Sequence, residues 1–322
     1  MNTKTKTILK ITLPLLLGIL LVWYSLSKIS LSELVQYFKD ADYSFIGLGV
    51  FFGLLSHLSR AYRWKFMIEP MGYSLRLSNS IMAVFAAYLV NYTIPRAGEI
   101  TRASIITNYE GVPFEKCFGT IVAERVADML VMLGIILITL ILEFDFIYKF
   151  FMDRFDLYKI IIAGAVILAI SIAIFVFIRR STSKIALRIK SFINGLIEGI
   201  LSIFRMKQKW AFIFHTLFIW SMYVLMFYVT SFCLEETSNI PLAAVLIGFI
   251  SASFSIAATN GGIGSYPVAV FAAFSIFGIA KEPSIAFGWI MWSSQTLMII
   301  VFGGLSLIYL PIYNRLNPKT RE

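Results

Sequence analysis

Tyr92-Thr93-Ile94-Pro95-Arg96-Ala97-Gly98-Glu99-Ile100-Thr101-Arg102 interrupts a chain of 322 residues that is 59% hydrophobic. The next long apolar stretch, from Cys117, carries Glu124, Arg125 and Asp128. An ionised group at a bilayer centre costs about 3 kcal/mol on insertion scales, so such charges persist only when paired, facing a cavity or put to use. How the backbone passes this interruption decides the fold.

Only 14% of the residues are charged, and the mean hydropathy is +0.82. Both values set the chain apart from globular proteins, of which about a quarter of the residues are charged. An all-α polytopic membrane protein is expected. Stretches of spanning length run from Ile8 to Leu26, Tyr43 to Tyr62, Cys117 to Leu142, Leu157 to Ile178, Trp210 to Phe232 and Ser284 to Tyr313, which predicts six full spans. The first has no small-residue cleavage site and is expected to remain as an anchor. The longest stretch between spans, Arg179 to Lys209, leaves no soluble domain, so the reading is a single transmembrane domain over residues 1–322.

The net charge of +10 comes from basic residues that flank spans, which fits topology and speaks against nucleic acid as a partner. Lys4, Lys6 and Lys10, then Arg60, Arg63, Lys65 and Arg76, then the basic run from Arg179 to Lys209, then Arg315, Lys319 and Arg321 mark one side. By the positive-inside rule that side is cytoplasmic, with both termini on it. The opposite loops pair Lys28 and Lys39 with Asp40 and Asp42, then carry Glu143, Asp145, Asp153 and Asp156, then Glu235 and Glu236. Cys117 and Cys233 fall on opposite sides and are not expected to form a disulfide.

Charge parity now constrains the interruption. Arg76 lies inside and Glu143 outside with one span between them, so the segment at about 78–116 must begin and end inside. A re-entrant hairpin from the cytoplasmic side is the simplest solution. Parity makes the same demand at about 240–283, where an apolar stretch meets Asn260, Gly261, Gly262, Gly264 and Pro267 and then resumes; here the hairpin enters from outside. In both halves an apolar stretch, a Gly-containing break, a second half-helix, a Gly/Pro turn (Gly111 to Pro113; Gly278 to Pro283) and a long span recur in one order. This reads as a weak inverted repeat. Non-helical backbone at membrane depth must be buried in protein or line water, and oppositely entering broken segments in corresponding positions are the pointer to a midplane site in transporters.

The candidate binding residues follow from that placement. Arg125 lies three residues before Asp128 and Glu124 four before it, close enough to form one cluster on a helix. Either the cluster neutralises itself and staples its span to the first hairpin, or Arg125, with Arg96 or Arg102, offers a guanidinium fork to a phosphate while Glu124 and Asp128 orient the forks. Pro95 and Gly98 free amides at the break, and the half-helix after it turns its positive end to the site. Arg96 and Arg102 could instead snorkel to the interface. Asn260, Gly261, Gly262 and Gly264 form either an amide-lined turn opposite or a point of close helix packing. A stripe of apolar residues from Ile185 to Phe204 predicts an interfacial amphipathic helix at about 184–206 that favours anionic lipid. His57 and His215 lie on separate spans, so no metal or other cofactor is expected, and neither Gly-x-Ser-x-Gly nor a phosphate loop occurs. Asp40-Ala41-Asp42 reads as a solvated loop, and Asn91-Tyr92-Thr93 as an accidental sequon.

Arg60-Ala61-Tyr62-Arg63-Trp64, Pro95-Arg96-Ala97-Gly98-Glu99 with Arg102, Glu124-Arg125 with Asp128, and Gly261-Gly262-Ile263-Gly264 together resemble the flippase-like family related to the membrane domain of lysylphosphatidylglycerol synthases. The resemblance covers nearly the whole chain. It implies an integral protein of the bacterial cytoplasmic membrane that moves a phospholipid or polyprenyl-phosphate-linked lipid between leaflets, with Arg96, Glu99, Arg102, Glu124, Arg125 and Asp128 as its polar site and membrane lipids as partners. Two departures stand out. No aminoacyl-transferring domain is present, so synthesis of lysylphosphatidylglycerol is not expected, and Tyr266-Pro267 stands where the family often has an acid. A membrane enzyme using Glu99 or Glu124 as general base, or an accessory protein of envelope synthesis, is the rival expectation.

Overall fold

The computed structural model describes residues 16, 18–94, 96–154, 156–181, 183, 187, 189–190 and 206–318, and the described residues are helical and without strands. The predicted interfacial helix at 184–206 lies almost wholly outside them, as do most of residues 1–17 and Pro95. In chain order the helices are α1 (Gly18–Leu26), α2 (Leu31–Asp40), α3 (Tyr43–Arg63), α4 (Leu77–Thr93), α5 (Gly98–Glu110), α6 (Phe114–Leu142), α7 (Phe144–Arg154), α8 (Leu157–Arg180), α9 (Lys209–Thr230), α10 (Leu242–Ala258), α11 (Ser265–Ser275) and α12 (Lys281–Leu316). Among the described residues, Tyr43–Met71, α6, Lys209–Cys233 and α12 are long and apolar enough to cross a membrane, and α1 with α2, bent by 82°, is a fifth candidate. The 24-residue α8 occupies the stretch read as the fourth span. Their outer faces are apolar: Leu297 is 62% exposed, Ile308 67% and Trp210 75%. Surface of this kind is stable only against lipid.

Residues 27–42 read as an exterior loop, yet most of them form α2. Ser30 and Glu33 make a capping box, the Ser30 hydroxyl accepting from the Glu33 amide and the Glu33 carboxylate from the Ser30 amide. That box starts a new helix instead of extending α1, and Leu31, Leu34, Val35 and Phe38 follow at helical spacing.

The chain forms two units. One contains the described residues up to Ile121 and from Lys207 onward; the other runs from Val122 to Met206. In the second unit the last part of α6 leads through α7 into α8. The first unit is built along the 36-residue α12, about 54 Å long at 1.5 Å per residue.

Two helix pairs lie against α12. α4 and α5, of 17 and 13 residues, form one; α10 and α11, of 17 and 11 residues, form the other. Gly111 follows the first pair and Gly278 the second, each with positive φ. The ends of the first pair meet at the C-terminal end of α12. Arg76 donates to Glu110 at 2.9 Å, to Asn314 Oδ1 at 2.7 Å and to the Asn317 carbonyl at 2.6 Å, and Asn79 donates to Glu110 and Asn314. The second pair ends just before Lys281, at the other end of α12. Both pairs therefore have their bases at opposite ends of one rod and point at each other.

The Arg76 clamp supports this arrangement directly. The Glu110 side chain is fully buried while that of Arg76 is 26% exposed, so the pair is only partly screened. Glu110→Ala leaves Arg76 and Asn79 without one of their two shared acceptors, the other being Asn314 Oδ1, and without the charge that pairs with Arg76, and should lower stability by about 2 kcal/mol. Thermal unfolding in detergent measures the loss.

Candidate functional site

The tips of the two pairs touch. Asn260 Nδ2 donates to the Tyr92 carbonyl at 2.9 Å, Trp292 Nε1 to the Gly261 carbonyl at 2.8 Å, and the hydroxyls of Thr296 and Tyr92 bond at 3.2 Å. Trp292 and Thr296 lie about 20 Å from the start of α12 and about 30 Å from its end, counted along its rise. The meeting point is thus well inside the apolar rod. Tyr92 is its hub, contributing its carbonyl, its hydroxyl and its ring. A Cβ on Gly261 would stand 2.7 Å from the Tyr92 ring, which is why glycine is needed there.

Local chemistry explains both tips. α4 ends at Thr93, and Arg96 turns the chain with φ of 60°, a left-handed conformation unusual for a residue with a Cβ. Asn91 Oδ1 accepts from the Gly98 amide at 2.7 Å, so the supposed sequon residue closes the turn and takes one of the amides expected to face an anion. Gly98 is pressed onto the Ala87 carbonyl, leaving no room for a side chain. At the other tip Gly261, Gly262 and Gly264 all have positive φ. The Gly261 and Gly262 amides are taken by the carbonyl and hydroxyl of Thr259, and the Ser265 hydroxyl bonds those of Ser255 and Thr259 at 2.9 Å. Gly264 lies against the backbone of Leu21 and Val22 in α1. The glycine turn closes on itself and allows close approach.

The sequence-derived residues fall into separate places. Arg96 is exposed at the first tip and Glu99 half-buried beside it on the first turn of α5. Arg102 is buried one turn further, its guanidinium 3.8 Å from the Trp64 ring. Trp64 in turn donates to Thr120 at 2.7 Å, so Arg102 sits on an aromatic shelf between α3 and the start of α6. In the second unit Arg125 pairs with Asp128 at 3.7 Å, with 45% of the Arg125 side chain exposed, and Glu124 is fully buried. Among the described residues no three His, Cys, Asp or Glu side chains come together in a way that could hold a metal ion.

Sequence reasoning missed Tyr92, Trp292 and Thr296, because each reads as an ordinary residue of an apolar span. Their only sequence signal is a polar edge within a stretch that needs none. It also left Arg63 at the interface. The Arg63 side chain is fully buried, donating to Thr216 at 2.7 Å with its guanidinium 5.1 Å from the Phe212 ring, which ties α3 to α9.

A family model for the lysylphosphatidylglycerol synthase transmembrane region matches residues 11–304. The chain is 25% identical over 308 residues to the UPF0104 membrane protein MJ1595 of Methanocaldococcus jannaschii, covering 87% of this chain and 88% of that protein. It is 26% identical over 123 residues to the glycosyltransferase AglD of Haloferax volcanii, covering 37% of this chain and 20% of that one. No solved structure matches. With the match running through both helix pairs and the long helices around them, the chain belongs to the family of the lysylphosphatidylglycerol synthase transmembrane region and is an integral membrane protein.

Proposed function

We propose that this protein is a lipid translocase, in which the headgroup of a phosphate-headed lipid passes between leaflets where the hairpin tips meet while its tails stay in the bilayer. The observation that carries the reading is the Asn260 to Tyr92 contact between two helix pairs based at opposite ends of α12. Broken helices that meet at depth must be enclosed by protein or face water, and paired, interrupted segments of this kind hold substrate sites in inverted-repeat transporters.

In this reading residues 78–116 and 240–283 are re-entrant, the first from the cytoplasmic side and the second from outside. Six spans, including α8 and the first apolar stretch, complete one transmembrane domain over 1–322 with cytoplasmic termini and an interfacial helix at 184–206. Arg96 meets the phosphate, Glu99 orients the Arg96 guanidinium, and Arg102 on its Trp64 shelf adds positive potential behind the tip. Asn260 with Gly261, Gly262 and Gly264 shapes the facing wall. Glu124, Arg125 and Asp128 form a charged station of their own on α6. Anionic lipids are the expected partners.

The test uses the conformation of Arg96. Glycine adopts φ of 60° without the steric cost that a Cβ incurs, about 1 kcal/mol, so Arg96→Gly removes the charge while keeping or raising stability. Translocation of a fluorescent anionic phospholipid in reconstituted vesicles should fall about tenfold, the effect of losing one charge-assisted contact. An unchanged rate in the folded variant removes Arg96 from the site.

A second reading, an enzyme or accessory of lipid-linked glycosyl chemistry, draws on the likeness to AglD. It would rest on Glu99 or Glu124 as general base. A covalently altered lipid formed by the purified protein and a sugar donor favours it over transport.

A further inference from the structure

Between α3, α4 and α9 lies a groove of about 350 Å³ walled by Leu58, Tyr62, Ile81, Phe214 and Phe218, with almost no polar lining. Ser59 and His215 are polar members of its lining, and the Ser59 hydroxyl and His215 Nδ1 bond to each other at 2.8 Å. That bond engages Nδ1 of the ring, and the rest of the lining is almost wholly apolar. α3 and α9 both belong to stretches that can cross a membrane, so what surrounds an open apolar groove here is hydrocarbon. Along α3 the groove runs from Leu55 to Tyr62, about 10 Å by helical rise, enough for part of one extended chain.

One end of the groove is marked by charge. The Tyr62 ring lies beneath the Lys65 ammonium at 5.6 Å. Lys65 is 29% exposed in its side chain and pairs with Glu69, a partner that is 42% exposed. Exposed pairs of this kind are weak and exchange readily for another anion. Arg76, beside the groove residue Leu77, is committed to Glu110, Asn314 and Asn317. Lys65 is therefore a cation at this rim that can turn to a new partner.

We propose that this groove is a docking site for one acyl chain of an anionic glycerophospholipid, whose phosphate meets Lys65 while its second chain stays outside among bulk lipid. The apolar length sets the chain; the cation at one end sets the sign of the headgroup and the direction in which the lipid lies. The proposal stands beside the translocase reading and does not depend on it, because docking can be measured without transport.

The experiment is photolabelling of the full chain in vesicles with phosphatidylglycerol or phosphatidylcholine carrying a tail diazirine, followed by peptide mapping. The expected result is labelling of Leu55–Tyr62 and Phe214–Phe218 that prefers phosphatidylglycerol about fivefold, the contribution of one interfacial lysine, and that unlabelled phosphatidylglycerol competes away. Lys65→Glu should abolish the preference. Leu58→Trp, which fills the groove, should reduce labelling of these peptides while leaving labelling around Trp210 unchanged; Ile81→Trp serves where that variant misfolds. Equal labelling by both lipids, or labelling that survives both tryptophan variants, overturns the proposal in favour of ordinary lipid contact. Labelling by a polyprenyl phosphate diazirine that phosphatidylglycerol cannot compete away overturns the chosen occupant.

Discussion

Joining cysteines at positions 92 and 260 with a short bis-methanethiosulfonate linker, in a chain also carrying Cys117→Ser and Cys233→Ser, should stop lipid translocation, and reductant should restore it. Asn260 donates to the Tyr92 carbonyl at 2.9 Å, so the two positions lie close enough for a short linker to span, and the tie takes over the closure that the replaced side chains gave. If a headgroup passes at this junction, the contact must part in every cycle, and a covalent tie removes the open state from the population altogether. The expected loss exceeds tenfold, measured by fluorescence of anionic phospholipid in reconstituted vesicles before and after reduction. Each single-cysteine variant, treated with the same reagent, is the control. Translocation that continues at full rate with the linker in place places the path elsewhere.

The second large effect concerns stability. Gly264 has φ of 68° and starts α11 from a left-handed conformation, and a Cβ there would fall into the backbone of Leu21 and Val22. Gly264→Val carries both costs: about 1 to 2 kcal/mol for the left-handed backbone and a further 1 to 3 kcal/mol for overpacking against atoms that cannot turn aside. A total of about 3 kcal/mol should separate α1 from the second pair and lower the thermal midpoint in detergent. Gly111 is the internal comparison. It has φ of 72° but nothing within 4 Å of a built Cβ, so Gly111→Ala incurs the backbone cost alone. Equal losses at the two positions would show that α1 is not held at Gly264.

Both predictions rest on features of unequal visibility in the sequence. The division of each of these two segments into a pair of helices was legible in the sequence, whereas the side from which each pair enters rests on charge parity alone and belongs to the proposal above. The breaks were legible because Pro95, Gly98 and the run from Gly261 to Gly264 are residues that helices avoid. What parity cannot supply is which residues touch when two segments far apart in the chain meet. Tyr92 and Trp292 are common in apolar spans, and their role appears only once Gly261 is seen between them. α2 escaped notice for a different reason: polar ends made residues 27–42 look like a loop, and the deciding interaction is the reciprocal cap of Ser30 and Glu33. Arg96, Glu99, Arg102, Asn260 and the glycines fall in the first unit, whereas Glu124, Arg125 and Asp128 fall in the second. Spacing along one helix could suggest that these charges cluster, and Arg125 does pair with Asp128. It could not say how buried each would be.

The clamp at Arg76 also has a mechanical meaning. It ties the start of α4, the end of α5 and the last turns of α12 to one another through a single guanidinium and its neighbours. A hairpin fastened at both ends to the same place cannot slide along its rod; the motion left to it is rotation about the fastening. α4 has 17 residues, an arm of about 25 Å, so a turn of about 10° displaces its tip by about 4 Å. That exceeds the length of every hydrogen bond at the junction, so a small swing about a fixed hinge is enough to break all of them together.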